Sequence, residues 1–261
     1  MMSGAERPPS VAGKVMAILE SFAPGAVRLT LTEICARAGL PLATGHRLVR
    51  ELTGGGFLER LPDGSYRIGT RLWRIGAQAS AARSLRELAL PHMEELYAAT
   101  HENVQLAVLS GDKALYLERL RGPRSVPIVT RVAAELPLHA TGVGKVLLAF
   151  ASEDFAEKVI ALGLPPYTPH TVTDADRLRA CLAEIRRSGY AVTREEMSLG
   201  TCSVAAPVRD PAGAVFAALS LVTRRNVVDL RRLVPAVLAA ASALARDVDA
   251  HGGSAEWKDW G

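Results

Sequence analysis

The stretch from Leu31 to Leu52, LTEICARAGLPLATGHRLVREL, constrains this chain more than any other. Thr30 is placed to cap a helix, and Glu33 three residues later completes a capping box. Ile34 and Ala38 then share one face, as a short amphipathic helix requires. Gly39 follows at once and suits the left-handed residue that ends a helix. Leu40 and Pro41 restart the chain, and proline is tolerated in the first turn of a new helix. Leu48 and Leu52 form the buried stripe of that second helix, which leaves Thr44, Arg47 and Arg50 on other faces. Two short helices joined by a tight glycine turn predict a helix-turn-helix. The close crossing needs a small residue one turn before the glycine, and Cys35 stands there. Gly45 does not fit the pattern. Its position points into the crossing and calls for a bulky aliphatic, and glycine costs roughly 1 kcal/mol against alanine in a helix interior. An ordinary helical hairpin inside a core is the alternative reading of this segment.

The flanks extend the motif. Val11, Val15, Ile18, Leu19 and Phe22 recur at helical spacing and predict a helix over 11–22 that packs on the helix-turn-helix. Gly54, Gly55 and Gly56 end the second helix. Phe57–Arg60 and Tyr66–Ile68 then flank Pro62-Asp63-Gly64-Ser65, which reads as a β-hairpin around an Asp-Gly turn. A hairpin in this place is a wing that carries Arg60 and Arg67, or a hairpin that only closes the domain. Residues 70–100 read as helical. Leu72, Ile75, Ala79 and Ala82 form one stripe, Leu85, Leu88, Met93, Leu96 and Tyr97 continue it, and Pro91 breaks or restarts the helix.

From Asn103 the period changes to that of strands. Val104–Leu109 and Ala114–Arg119 flank Gly111-Asp112-Lys113 as a hairpin, and Ser125–Val132 reads as a third strand. LHATGVGK leads from Leu138 into an apolar helix ending near Phe150. Ser152 caps a further helix, and another lies within Thr171–Ser188. Strands follow at Tyr190–Val192, Thr201–Val208 and Ala214–Val222, and a last helix runs from Asp229 to Val248. Helices mixed with antiparallel hairpins define an α+β domain.

Composition bounds the function class. The 261 residues suffice for two domains, and 49% of them are hydrophobic, enough to bury real cores. The net charge of +4 permits nucleic acid without demanding it. Cys35, Cys181 and Cys202 are odd in number and far apart, so they make neither a disulfide framework nor a zinc pattern. His92, His101, His139 and Cys202 lack ligand spacing, so no metal and no cofactor is expected. The start, MMSGAERPPS, has no apolar signal core, and the longest apolar region, Leu233–Ala245, is too short for a bilayer. The expectation is a cytoplasmic protein without membrane contact.

Three stretches carry a specific resemblance: GLPLATGHRLVREL with GGFLER after it, LPLHATGVGKVLLA at 136–149, and GYAVTREEMSLGTCSVAAPVRDPAGAVFAALSL at 189–221. With these the chain resembles the IclR family of bacterial transcriptional regulators over about Val11 to His251. The resemblance implies an N-terminal winged helix-turn-helix, a linker helix and a C-terminal α+β effector-binding domain similar to GAF and PAS modules. It implies a regulator, repressor or activator, that binds palindromic operators in double-stranded DNA as a dimer or tetramer. The domains expected are a disordered tail at 1–10, a DNA-binding domain at 11–70, a linker and dimerisation helix at 71–100, an effector-binding domain at 101–251 and a tail at 252–261.

For DNA the resemblance and the helix geometry select Thr44, His46, Arg47 and Arg50 on the recognition helix, with Arg60 and Arg67 on the wing. Arg47 and Arg50 lie one turn apart, and arginine can hold phosphate bidentately or read guanine. The bland reading of Arg50 is an ion pair with a nearby carboxylate. Ala43 and Gly45 depart from the family's usual recognition helix. For the effector the resemblance implies Leu138, Thr141, Gly142, Val146, Ser203 and Ser220, with Thr193 and Cys202 standing where the family often has an acidic residue and an arginine. A small organic acid, aromatic or not, would set its carboxylate at the helix start of Thr141–Gly142. Ser203 and Ser220 would donate hydrogen bonds to it, and Leu138 and Val146 would form the apolar wall. Small residues that merely permit close packing are the alternative for each. His139 is expected to anchor its loop by a backbone hydrogen bond. A ligand-independent DNA-binding protein and a Cys202-dependent enzyme are the competing classes; the second lacks an oxyanion loop and a placed base.

Overall fold

The computed structural model of the chain describes residues 10–251 apart from 24–25, 77, 79, 124 and 228. Most of the two expected tails, at 1–9 and 252–261, thus lies outside the described residues, as do Ala79 and the side chain of Ala82. The chain divides into two units, Met1–Ser80 and Ala81–Gly261.

In the first unit α1 (Val11–Glu20), α2 (Leu31–Ala38) and α3 (Leu42–Gly54) surround Ile18, Ile34, Leu48 and Leu58. Val11 of the expected stripe is exposed instead, because α1 begins there and its first turn overhangs the core. The capping box of α2 forms in full. Thr30 Oγ1 accepts from the Glu33 N–H at 3.3 Å, and Glu33 Oε2 accepts from the Thr30 N–H at 2.8 Å. Gly39 then adopts φ +63° and turns the chain into α3. The wing is β1 (Leu58–Arg60) against β2 (Tyr66–Ile68), antiparallel, with Glu59 opposite Arg67. Leu29 pairs with Tyr66 as an isolated antiparallel bridge beside this ladder. Asp63 Oδ1 holds the turn by accepting from the Ser65 N–H at 2.9 Å. A helix α4 (Thr70–Gly76) follows, with Leu72 half-buried but Trp73 71% and Ile75 55% exposed.

The second unit is one antiparallel sheet between two helical layers. Its strands are β3 (Asn103–Ser110), β4 (Lys113–Leu120), β5 (Glu135–Pro137), β6 (Ala191–Arg194), β7 (Thr201–Arg209) and β8 (Val215–Arg224), in the order β5-β4-β3-β8-β7-β6. Alternate residues face opposite layers, as a pleated strand demands. Val104, Leu106, Val204, Leu219 and Leu221 pack with α5 (Ser80–Thr100) and α9 (Leu230–Ala250). Ala107, Tyr116, Ala205 and Ala218 pack with α6 (Gly142–Phe150), α7 (Glu153–Ala161) and α8 (Ala175–Ser188).

Three expectations change here. The helix is not broken at Pro91: α5 runs through it, with Pro91 on the exposed side and Ala89, Met93 and Leu96 buried. Packing of that face outweighs the lost backbone hydrogen bond. The same packing uses the apolar stripe of α5 inside this unit, so among the described residues the large apolar side chains left exposed between 71 and 100 are Trp73 and Ile75 of α4. Finally, Ser125–Val132 is not a strand, and β5 pairs with β4 in its place. Pro127 removes a ladder donor, and carbonyls of this segment accept from side chains instead. Val126 O accepts from Asn103 Nδ2 at 2.9 Å, and Thr130 O accepts from Arg119.

Candidate functional site

The first candidate surface is the outer side of α3. Leu42, Ala43, His46, Arg47, Arg50 and Glu51 are exposed there, while Thr44 is half-buried. Leu48, Val49 and Leu52 hold the opposite side in the core, which fixes the helix rotation. The misfit at Gly45 has a steric cause: a Cβ there would lie 2.2 Å from Cys35 Sγ. The larger residue sits on α2 and the smaller on α3, so the volume of the crossing is kept while its owner changes. Arg47, not Arg50, makes the ion pair on this helix, with Glu51 at 2.7 Å. Both groups are more than half exposed, so that pair is worth at most about 0.5 kcal/mol and yields readily to a phosphate. On the wing, Arg60 is exposed and Arg67 pairs with Glu59 at 2.7 Å. Arg28 joins the wing tip through Asp63 at 3.3 Å, a residue that sequence reasoning missed because it precedes the motif.

The second candidate is a cleft in the second unit, about 400 Å³ of empty space including its open mouth. Thr141, Gly142, Thr193 and Ser203 line it, as expected. Leu138, Val146, Cys202 and Ser220 do not. Leu138 and Val146 are turned into the core beneath α6. Cys202 alternates with Thr201 and Ser203, which face the cleft, and so lies on the other side of β7. Burial pushes its thiol pKa up, the opposite of an activated nucleophile. Ser220 acts one residue away: its Oγ donates to Gln105 Oε1 at 3.2 Å, and Gln105 lines the cleft.

Gln105 is the informative residue. It is 3% exposed, and its Nε2 has no hydrogen-bond partner among the described residues. An unsatisfied buried donor costs about 1–3 kcal/mol unless something fills the space it faces. Its signal in the sequence was an amide inside the apolar run Val104–Leu109. Tyr116 is also buried in this wall, with the Thr141 and Thr130 side chains beside its hydroxyl. Burial raises its pKa, so the phenol stays protonated. The N-terminus of α6 opens on the same space. Thr141 Oγ1 caps the Gly144 N–H at 3.1 Å, and a Cβ on Gly142 would stand 2.5 Å from Ser203 Oγ. Among the described residues no Asp, Glu, Lys, Arg or His lines the cleft.

Charge lies behind the wall instead. Lys145 on α6, 2% exposed, donates to both carboxylate oxygens of Glu196 at 2.7 and 2.6 Å. This pair ties α6 to the loop that carries Met197 and Ser198 over the cleft. Thr171 Oγ1 donates to the Glu196 carbonyl at 2.6 Å from a third direction. His139 is buried with its Nε2 3.0 Å from Pro165 O, the anchoring role expected of it. Desolvation lowers its pKa, partly offset by that hydrogen bond.

A winged helix-turn-helix and a separate α+β unit with a cleft that no charged side chain lines among the described residues define the class of effector-responsive DNA-binding regulators. Comparison with known proteins gives the family. The IclR helix-turn-helix domain matches residues 11–62, and the C-terminal domain of bacterial transcriptional regulator IclR matches 77–250. The chain is 32% identical over 218 residues to the HTH-type transcriptional regulator XynR of Escherichia coli K12, covering 83% of this chain and 86% of that one. It is 31% identical over 208 residues to the transcriptional repressor IclR of the same strain, covering 78% and 76%. A crystal structure of an IclR homologue from Microbacterium hydrocarbonoxydans, complexed with 4-hydroxybenzoate, superposes with a TM-score of 0.87 at 37% identity, covering 92% of this chain and all of that one. The chain belongs to the IclR family of bacterial transcriptional regulators, and it is a DNA-binding regulator. These relatives are regulators, not enzymes. No helix among the described residues is long and apolar enough to cross a membrane.

Proposed function

We propose that this chain is a cytoplasmic regulator whose operator affinity is set by a small organic acid bound in the cleft of its second unit. The amide of Gln105 carries this reading: the residue lines the cleft, and its Nε2 is left without a hydrogen-bond partner among the described residues, which calls for an acceptor from a ligand. The first N–H groups of α6 offer positive potential to the lining, so the carboxylate belongs there. Gln105, held by Ser220, takes a second polar group, and Leu136, Ala140 and Met197 cover the apolar body. An aromatic hydroxy acid fits this division, and 4-hydroxybenzoate, the ligand of the Microbacterium homologue, is the first candidate. The chain would act as a dimer or tetramer on a palindromic operator, because one recognition helix reads too few base pairs. Thr44, His46, Arg47 and Arg50 would meet the major groove, and Arg60 and Arg67 the flanking backbone. The exposed Trp73 and Ile75 of α4 are available for subunit pairing.

Titration calorimetry with 4-hydroxybenzoate and a panel of simple carboxylates tests the cleft. Gln105→Leu should raise the Kd of the binding acid about tenfold, the loss of roughly 1.4 kcal/mol. Unchanged affinity in that variant, or no carboxylate bound by the wild type, would sink the assignment. Arg47→Ala should lower the salt slope of operator binding by about one unit if it holds a phosphate. An unaltered slope and affinity would remove Arg47 from the interface.

A further inference from the structure

The end of β4 and the loop after it bound a second cavity, about 940 Å³ of empty space and open in part to solvent. Asn103, Arg119, Arg121, Ser125, Pro127 and Ile128 are among its lining residues. Ile128 also lines the effector cleft, so the two spaces share a wall, yet their chemistry differs. Among the described residues the cleft is lined by no charged side chain, and this cavity by two guanidinium groups and no carboxylate.

Among the described residues neither of those cations has a carboxylate partner. Arg119 gives one N–H to Thr130 O, and Arg121 has no ion-pair partner among the described residues. The nearest acidic residue in sequence, Glu118, is engaged by Arg86 and by the Arg119 backbone N–H. Arg119 is half-buried and sits close enough to Arg121 and Arg131 to be repelled by both, so desolvation and then these two charges lower its pKa. Like charges gathered around one concavity are costly unless an anion neutralises them.

We propose that this cavity is a second small-molecule site, which takes a multiply charged anion held by the Arg119 and Arg121 guanidinium groups. Paired guanidinium forks match carboxylate and phosphoryl oxygens equally well, so the shared chemistry is two or more adjacent anionic groups. The concave form and its volume suit a metabolite. The site is separate from the effector cleft and does not depend on which acid binds there.

The test is titration calorimetry on the full chain, without DNA, at ionic strength fixed with sodium chloride. Two probes are used, inorganic pyrophosphate and propane-1,2,3-tricarboxylate. At least one should bind saturably at one equivalent per chain, and the preferred probe tells phosphoryl from carboxylate ligands. Arg121→Ala, a change at an exposed residue, should weaken that binding at least tenfold. Arg187→Ala, which removes an exposed charge from α8, should leave it unchanged. No saturable binding of either probe would overturn the proposal. So would equal weakening by both substitutions, since that reports net charge alone, or full retention in Arg121→Ala.

Discussion

The two units use polar residues in opposite ways. In the DNA-binding unit the core of Ile18, Ile34, Leu48 and Leu58 is apolar, and the functional candidates Arg47, Arg50 and Arg60 stand in solvent. In the second unit Gln105, Tyr116, Lys145, Glu196 and Ser220 are all buried. A surface that meets DNA can keep its charges hydrated until the partner arrives. A cleft that closes around a small molecule has to hold its polar groups desolvated in advance, each tied to a neighbour or left waiting for the ligand. Substitutions of the functional candidates should therefore act on binding alone in the first unit, and on binding and stability together in the second.

The largest effect should come from Lys145→Met, which leaves Glu196 buried without its partner. Loss of one member of such a pair costs about 3–5 kcal/mol, seen as a lower Tm of the second unit's transition. Lys145→Met with Glu196→Met should regain most of it, and a double variant as unstable as the single one would break the contrast drawn above. Next comes Gly45→Ala in the first unit. Helix propensity alone would favour alanine by about 1 kcal/mol, yet the clash with Cys35 Sγ should make the change a net loss of about 1–3 kcal/mol. Cys35→Ala combined with Gly45→Ala should be restored in a double-mutant cycle followed by thermal unfolding. A stabilised Gly45→Ala would show that the crossing has slack. The smallest effect is at His139. Its folded pKa lies below the unfolded value near 6.5, so the unfolded chain gains a proton first as pH falls. The stability it contributes is present above that pH and drains away below it. Melting curves from pH 7.5 to 5 should be flatter for His139→Gln than for the wild type, and parallel curves would remove His139 from the pH response.

The same contrast decides how much could be read from the sequence. The helix-turn-helix and wing were legible because caps, turns and periodic leucines are local: Thr30, Glu33, Gly39 and Asp63 each act within a few residues. Thr141, Gly142, Thr193 and Ser203 were reached through resemblance, and they do line the cleft. Gln105 and Tyr116 were not legible, because inside strands they read as interruptions of a core, and their use depends on partners 115 and 25 positions away (Ser220 and Thr141). Ser125–Val132 failed for the reverse reason: its composition suits a strand, but Arg119 and Asn103 occupy its carbonyls.

The fit of Cys35 against Gly45 also has a history built into it. A mutation that enlarges residue 45 meets the thiol at once and is removed by selection before any benefit to operator choice can be sampled. Shrinking residue 35 to alanine first opens a small void, a cost of about 1 kcal/mol that a folded domain survives. Only then is growth at 45 permitted. The two positions thus change in a fixed order, the thiol first, and no descendant of this chain should carry a larger residue at 45 while Cys35 remains.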